Sequence, residues 1–64
     1  MKVTIGSTQW DFQIQTAILG GGFWVRVKRD GTEITRVPFF NRDHAEDWQL
    51  MAMVHLRQRG SLPQ

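Results

Sequence analysis

The chain contains no cysteine. That excludes a disulfide framework and a thiolate metal site. The absence matters because the chain has only 64 residues. A domain this short buries only about 60% of the surface its unfolded chain exposes. A compact core or an oligomer must therefore supply the stability. Long apolar runs are missing too. No stretch approaches the ~20 residues of a membrane-spanning helix. The opening MKVTIGSTQW has one lysine and no apolar segment, so it does not read as a secretory signal. A cysteine-free chain is compatible with the cytoplasm. Charge of one sign is also modest. Eight Lys and Arg against six Asp and Glu leave a formal net charge of +2. That is too little by itself to argue for nucleic acid, so the placement of the charges decides.

Catalytic groups are sparse. The two histidines, His44 and His55, have neither HxxxH nor HExxH spacing. The serines are Ser7 and Ser61, with no base beside either. Asp43, Glu46 and Asp47 cluster where a helix is expected to start, which is their ordinary structural place. No enzyme activity, metal or cofactor is expected.

What is present is a set of periodic segments. Seven aromatics (Trp10, Phe12, Phe23, Trp24, Phe39, Phe40 and Trp48) are generous for so small a core. Trp10, Phe12, Ile14, Thr16 and Ile18 alternate with Asp11, Gln13, Gln15 and Ala17, the period of a half-buried strand. Lys2 to Ile5 also alternates, as a short extra strand or the start of a longer one. Gly20 to Gly22 then interrupt the chain. A glycine-rich phosphate loop normally opens a helix, whereas these lead into a strand, so a turn is the better reading.

The next strand spans Phe23 to Arg29. Asp30-Gly31 follows, a strong signal for a type I′ hairpin turn. The third spans Thr32 to Phe39, and Pro38 marks it as an edge strand or as the strand's exit. A two-residue turn sets the register. It predicts Lys28 opposite Glu33, Val27 opposite Ile34, Arg26 opposite Thr35 and Trp24 opposite Val37. Phe23, Val25, Val27 and Ile34 then face the core, and Arg36 is a misfit among them. The other face carries Trp24, Arg26, Lys28, Glu33, Thr35 and Val37, joined by Gln13 and Gln15 if the first strand pairs alongside.

NRDHAEDWQLMAMVHLRQR reads as a helix capped by Asn41 and ended by Gly60. Ala45, Trp48, Ala52, His55 and Leu56 form the packing stripe, with Met51 at its border. Leu50 and Val54 fall on the opposite side as a small exposed pair. The expected fold is α+β: three antiparallel strands, or four, with a C-terminal helix on one face. Residues 1–59 form a single domain and 60–64 a loose tail.

The open sheet face invites a functional reading. Arg and Gln read guanine and adenine edges in the major groove. Lys and Thr meet phosphates, and Trp stacks on an unpaired base. The plainer reading is a solvated face with a Lys28–Glu33 ion pair.

FWVRVKRDGTEITRVPFFNRDHAEDW also resembles the arm-type DNA-binding domain found at the N-terminus of many tyrosine recombinases, and the related plant ethylene-response-factor type domain. Phe39, Asn41, Ala45 and Trp48 fall into that family's spacing, and the resemblance spans Trp10 to Leu56. It implies a sheet that enters the DNA major groove. Trp24, Arg26, Lys28 and Thr35 stand at the matching strand positions. With Gln13 and Gln15 these are the expected DNA-binding residues. In size and architecture the chain is also similar to small phage proteins that inhibit a host enzyme or a CRISPR complex. On that alternative Leu50, Met53 and Val54 contact a host protein or form a homodimer seam. Salt dependence separates the two, because phosphate contacts release counterions.

Overall fold

The computed structural model describes residues 1–17 and 19–63. Its elements in chain order are β1 (Lys2–Ile5), β2 (Thr8–Thr16), β3 (Phe23–Arg29), β4 (Thr32–Phe39) and α1 (Arg42–Arg59). The strands form one antiparallel sheet in the order β1-β2-β3-β4. The alternating segment Lys2–Ile5 is thus a fourth strand, paired with the start of β2. Ile18, expected to continue the β2 pattern, lies outside the described residues.

Alternation along β2 and β3 builds the core. Trp10, Phe12, Val25 and Val27 are buried on one face, against Ala45, Ala52 and Leu56 of the helix. The alanines let the helix come close to the sheet. Phe12 and Leu56 are the largest side chains fully withdrawn from water, each contributing about 1.5–3 kcal/mol. Trp48 closes the core edge-on to Phe12 at 6.5 Å and tilted against Phe39 at 6.1 Å. The Arg29 guanidinium lies 6.0 Å from the Trp10 ring centre, within cation–π range.

The helix has the ends its sequence specifies. The Asn41 side chain accepts from the Asp43 N–H at 2.7 Å. Gly60 is the C-cap, and its N–H donates to the Leu56 carbonyl. Asp30 and Gly31 have φ of 50° and 86°, the left-handed pair a type I′ turn requires. The turn is also tied to β2: Asp30 N–H donates to the Gln9 carbonyl at 2.7 Å, and the Gln9 N–H to the Asp30 carboxylate at 2.9 Å. Gly22 has φ of 89°, and a Cβ placed on it would stand 2.8 Å from the Phe39 carbonyl oxygen. The triglycine is therefore a turn whose last residue has no room for a side chain.

Three expectations are corrected. The β3–β4 register holds at Lys28↔Glu33 but then shifts, giving Val27↔Thr35, Arg26↔Arg36, Val25↔Val37 and Trp24↔Pro38. Ile34 is the extra residue of a β-bulge and is 39% exposed rather than core. The physical reason lies in Arg36. In the unshifted register it would sit beneath the helix as an uncompensated charge, which is costly. One inserted residue turns it to the open face and turns Thr35 and Val37 toward the helix. Second, Phe23 is only half-buried, at the end of the sheet. Met51 is 52% exposed, in keeping with its place at the border of the packing stripe. Third, the C-terminal segment is tied back. Leu62 packs against the core, and His55 Nδ1 donates to the Ser61 carbonyl at 2.6 Å.

Candidate nucleic-acid interface

With the helix covering one face of the sheet, the other is open. Cross-strand pairing arranges it in rows. Lys2, Asp11, Lys28 and Glu33 lie across all four strands. Gln13, Arg26 and Arg36 form the next row, and Gln15, Trp24 and Pro38 the one after. Rows on one face are about 6.8 Å apart, two strand residues. The face thus grades from lysines, through arginines, to a tryptophan.

Five of the six sheet residues expected at the interface are here: Gln13, Gln15, Trp24, Arg26 and Lys28. Thr35 is not. The bulge places it opposite Val27 on the helix side, half-buried. Arg36 takes its place, which two-residue-turn reasoning alone could not find. The misfit of an arginine in a supposed core strand was the available signal.

The charges are organised around Glu33. Its carboxylate accepts from Arg26 Nε at 2.5 Å and from Arg36 Nε at 2.8 Å. The hydrogen bond from Arg36, then that from Arg26, holds its carboxyl below the ordinary glutamate range. Glu33 stands opposite Lys28 in register, yet it pairs with the two arginines. Both arginines use Nε, so their terminal amino groups stay outside these bonds. Asp11 lies 3.6 Å from the Met1 amino group and accepts from the Gln13 amide at 3.2 Å. Among the described residues neither Lys2 nor Lys28 has an ion pair. Among the described residues four cationic side chains and the Met1 amino group thus share the face with two carboxylates.

Trp24 is half-buried, not the freely exposed tryptophan its position implied. It divides two shallow depressions. One, of about 180 Å³, runs between Trp24 and Phe23, Pro38, Phe39, Phe40 and Leu19. The other borders Gln15, Thr16 and Arg36. Phe40 is 98% exposed and Leu19 88%. Phe40 is therefore not one of the aromatics that fill the core. Its position just before the helix cap leaves it outside the sheet pattern that would bury it.

On the helix, Leu50 and Val54 are 54% and 48% exposed, as expected, and Met51 adds to them. Met53 is half-buried and contributes only at the margin of that patch. The acidic cluster is ordinary. Glu46 pairs with Arg42 at 3.2 Å, and the Asp43 N–H makes the cap bond. Among the described residues no helix is long and apolar enough to cross a membrane. No family model, curated protein or solved structure matches this chain.

Proposed function

We propose that this protein is a non-enzymatic nucleic-acid-binding module, most directly for DNA, that uses the open sheet face. The observation that carries the reading is the row arrangement: Lys2, Lys28, Arg26 and Arg36 on one surface, backed by Gln13 and Gln15 and ended by Trp24. Among the described residues the lysines have no ion pair, which leaves them for phosphate. Each arginine is fixed to Glu33 through Nε, which reduces the side-chain ordering left for binding. Counterion release from four phosphate contacts gives a salt slope of about −3.6 on duplex DNA and about −2.8 on a single strand. Affinity then falls about 50- to 150-fold between about 50 and 200 mM salt. Fluorescence anisotropy of labelled DNA at those two salts, beside Arg26→Ala/Lys28→Ala, is the test. Loss of binding in the double variant supports the reading; no binding by the native protein at low salt refutes it.

A second reading rests on the outward helix face, where Leu50, Met51 and Val54 are each about half exposed. That stripe fits a host protein or a second copy of the chain. Association through it would be insensitive to salt and lost in Leu50→Ser/Val54→Ser, a variant that leaves the sheet face intact.

A further inference from the structure

We propose that the aromatic end of the open sheet face is a nucleobase site, so that the nucleic acid taken here is single-stranded; the inference rests on the sheet face binding nucleic acid at all. Phe40 is the first observation. It stands immediately before the cap Asn41, where an apolar residue commonly packs back onto the fourth helical residue, here Ala45. Phe40 does not do so, since 98% of it is exposed. Its ring adds nothing to the core, and it borders the depression beside Trp24.

Trp24 is the second observation. It lies between Gln15 and Pro38 in its row and is half-buried. A half-buried ring has less reach toward base edges inside a duplex groove than an exposed one. It does offer a surface on which an unpaired base can stack, and stacking tolerates any sequence because every base has a π-face. The depression on its other side places Gln15 and Arg36 at hand, one for a base edge and one for phosphate.

Charge complementarity fixes the occupant. The aromatic site adjoins the Arg26/Arg36 row, and the Lys2/Lys28 row lies beyond it. A basic track ending in a stacking platform is the combination that holds single strands. A purely apolar partner would leave Lys2 and Lys28, which have no ion pair among the described residues, without a counterpart.

The test compares a labelled single strand of about 12 nucleotides with the matching duplex. Native protein, Phe40→Ala and Trp24→Leu are each titrated. The expected result is tighter binding of the single strand. Each variant should weaken it about 5- to 150-fold, the range for one lost base stack, and Phe40→Ala should leave duplex binding unchanged. Phe40→Ala removes a solvent-exposed ring and so tests the site even if Trp24→Leu fails to fold. Tighter duplex binding, with Phe40→Ala moving neither, would overturn the base site and leave the sheet-face reading standing. No binding of either oligonucleotide at low salt would overturn both. A sedimentation shift from dimer to monomer in Phe40→Ala would also overturn the base site, by giving the patch to a second copy.

Discussion

Gly22→Ala offers a sharp test of how the triglycine turn positions the aromatic end of the sheet. Two costs combine at this residue. Its φ of 89° is a left-handed conformation, which costs a residue with a Cβ about 1–2 kcal/mol. The added Cβ would also lie 2.8 Å from the Phe39 carbonyl oxygen, so β4 or the turn must move, at about 1–3 kcal/mol. The total is about 2–5 kcal/mol. A domain of this length has about 3–10 kcal/mol of stability in all. Gly20→Ala is the control. Gly20 has φ of 79°, and a Cβ there would meet nothing within 4 Å, so it carries only the conformational cost. Urea unfolding of both variants isolates the close approach as their difference. Gly22→Ala should be the less stable by about 1–3 kcal/mol. Equal losses would refute the idea that backbone proximity at Phe39 constrains the turn. Because Phe39 leads directly to Phe40, the displaced turn should also weaken oligonucleotide binding, under conditions where the variant remains folded.

Glu33→Gln removes the acceptor shared by Arg26 and Arg36. Binding should tighten, measured by anisotropy at a fixed salt, because both guanidiniums lose their competing carboxylate. The folded Glu33 carboxyl is lowered below its unfolded value of about 4.3. Its stabilisation is therefore complete above that value and is lost as pH falls through the lowered one. The difference in Tm between native protein and Glu33→Gln should vanish over that acid window. Asn41→Ala should cost about 1 kcal/mol by loss of the cap, a fall in Tm of about 4–8 °C by circular dichroism. Truncation after Gly60 removes Leu62 from the core and the Ser61 acceptor from His55, and should cost about 1 kcal/mol in urea unfolding.

The elements were legible because their signals are local. The Asp30-Gly31 turn, the Asn41 cap, the Gly60 stop and the alternation of Trp10, Phe12 and Ile14 each depend on a few neighbouring residues. The β3–β4 register past Lys28 was not legible. Turn geometry fixes pairing only until a residue is inserted, and nothing at Ile34 itself marks a bulge. The cause lies two residues on, in the cost of burying Arg36. Gln13, Gln15, Arg26 and Lys28 could be placed because they precede the bulge or lie on strands it does not touch. Thr35 and Arg36 exchanged faces because they follow it. The exposure of Phe40 and the half-burial of Trp24 depend on how the triglycine turn approaches the end of β4. That is a contact between residues far apart in sequence, with no periodic trace.

The bulge has a further consequence for how the protein behaves in a crowded solution. β1 and β4 are the outermost strands of the sheet, and an outer strand offers unpaired backbone groups to any other extended chain. β1 limits the hazard by its length of four residues, beginning with Lys2. β4 has eight residues and would be the more dangerous template. Its run is broken by the extra residue at Ile34, and Pro38 withholds one donor near its end. The same irregularity that turns Arg36 toward the open face therefore makes the longer edge a poor nucleus for fibril growth. Straightening β4 by deleting Ile34 and replacing Pro38 would remove both safeguards together.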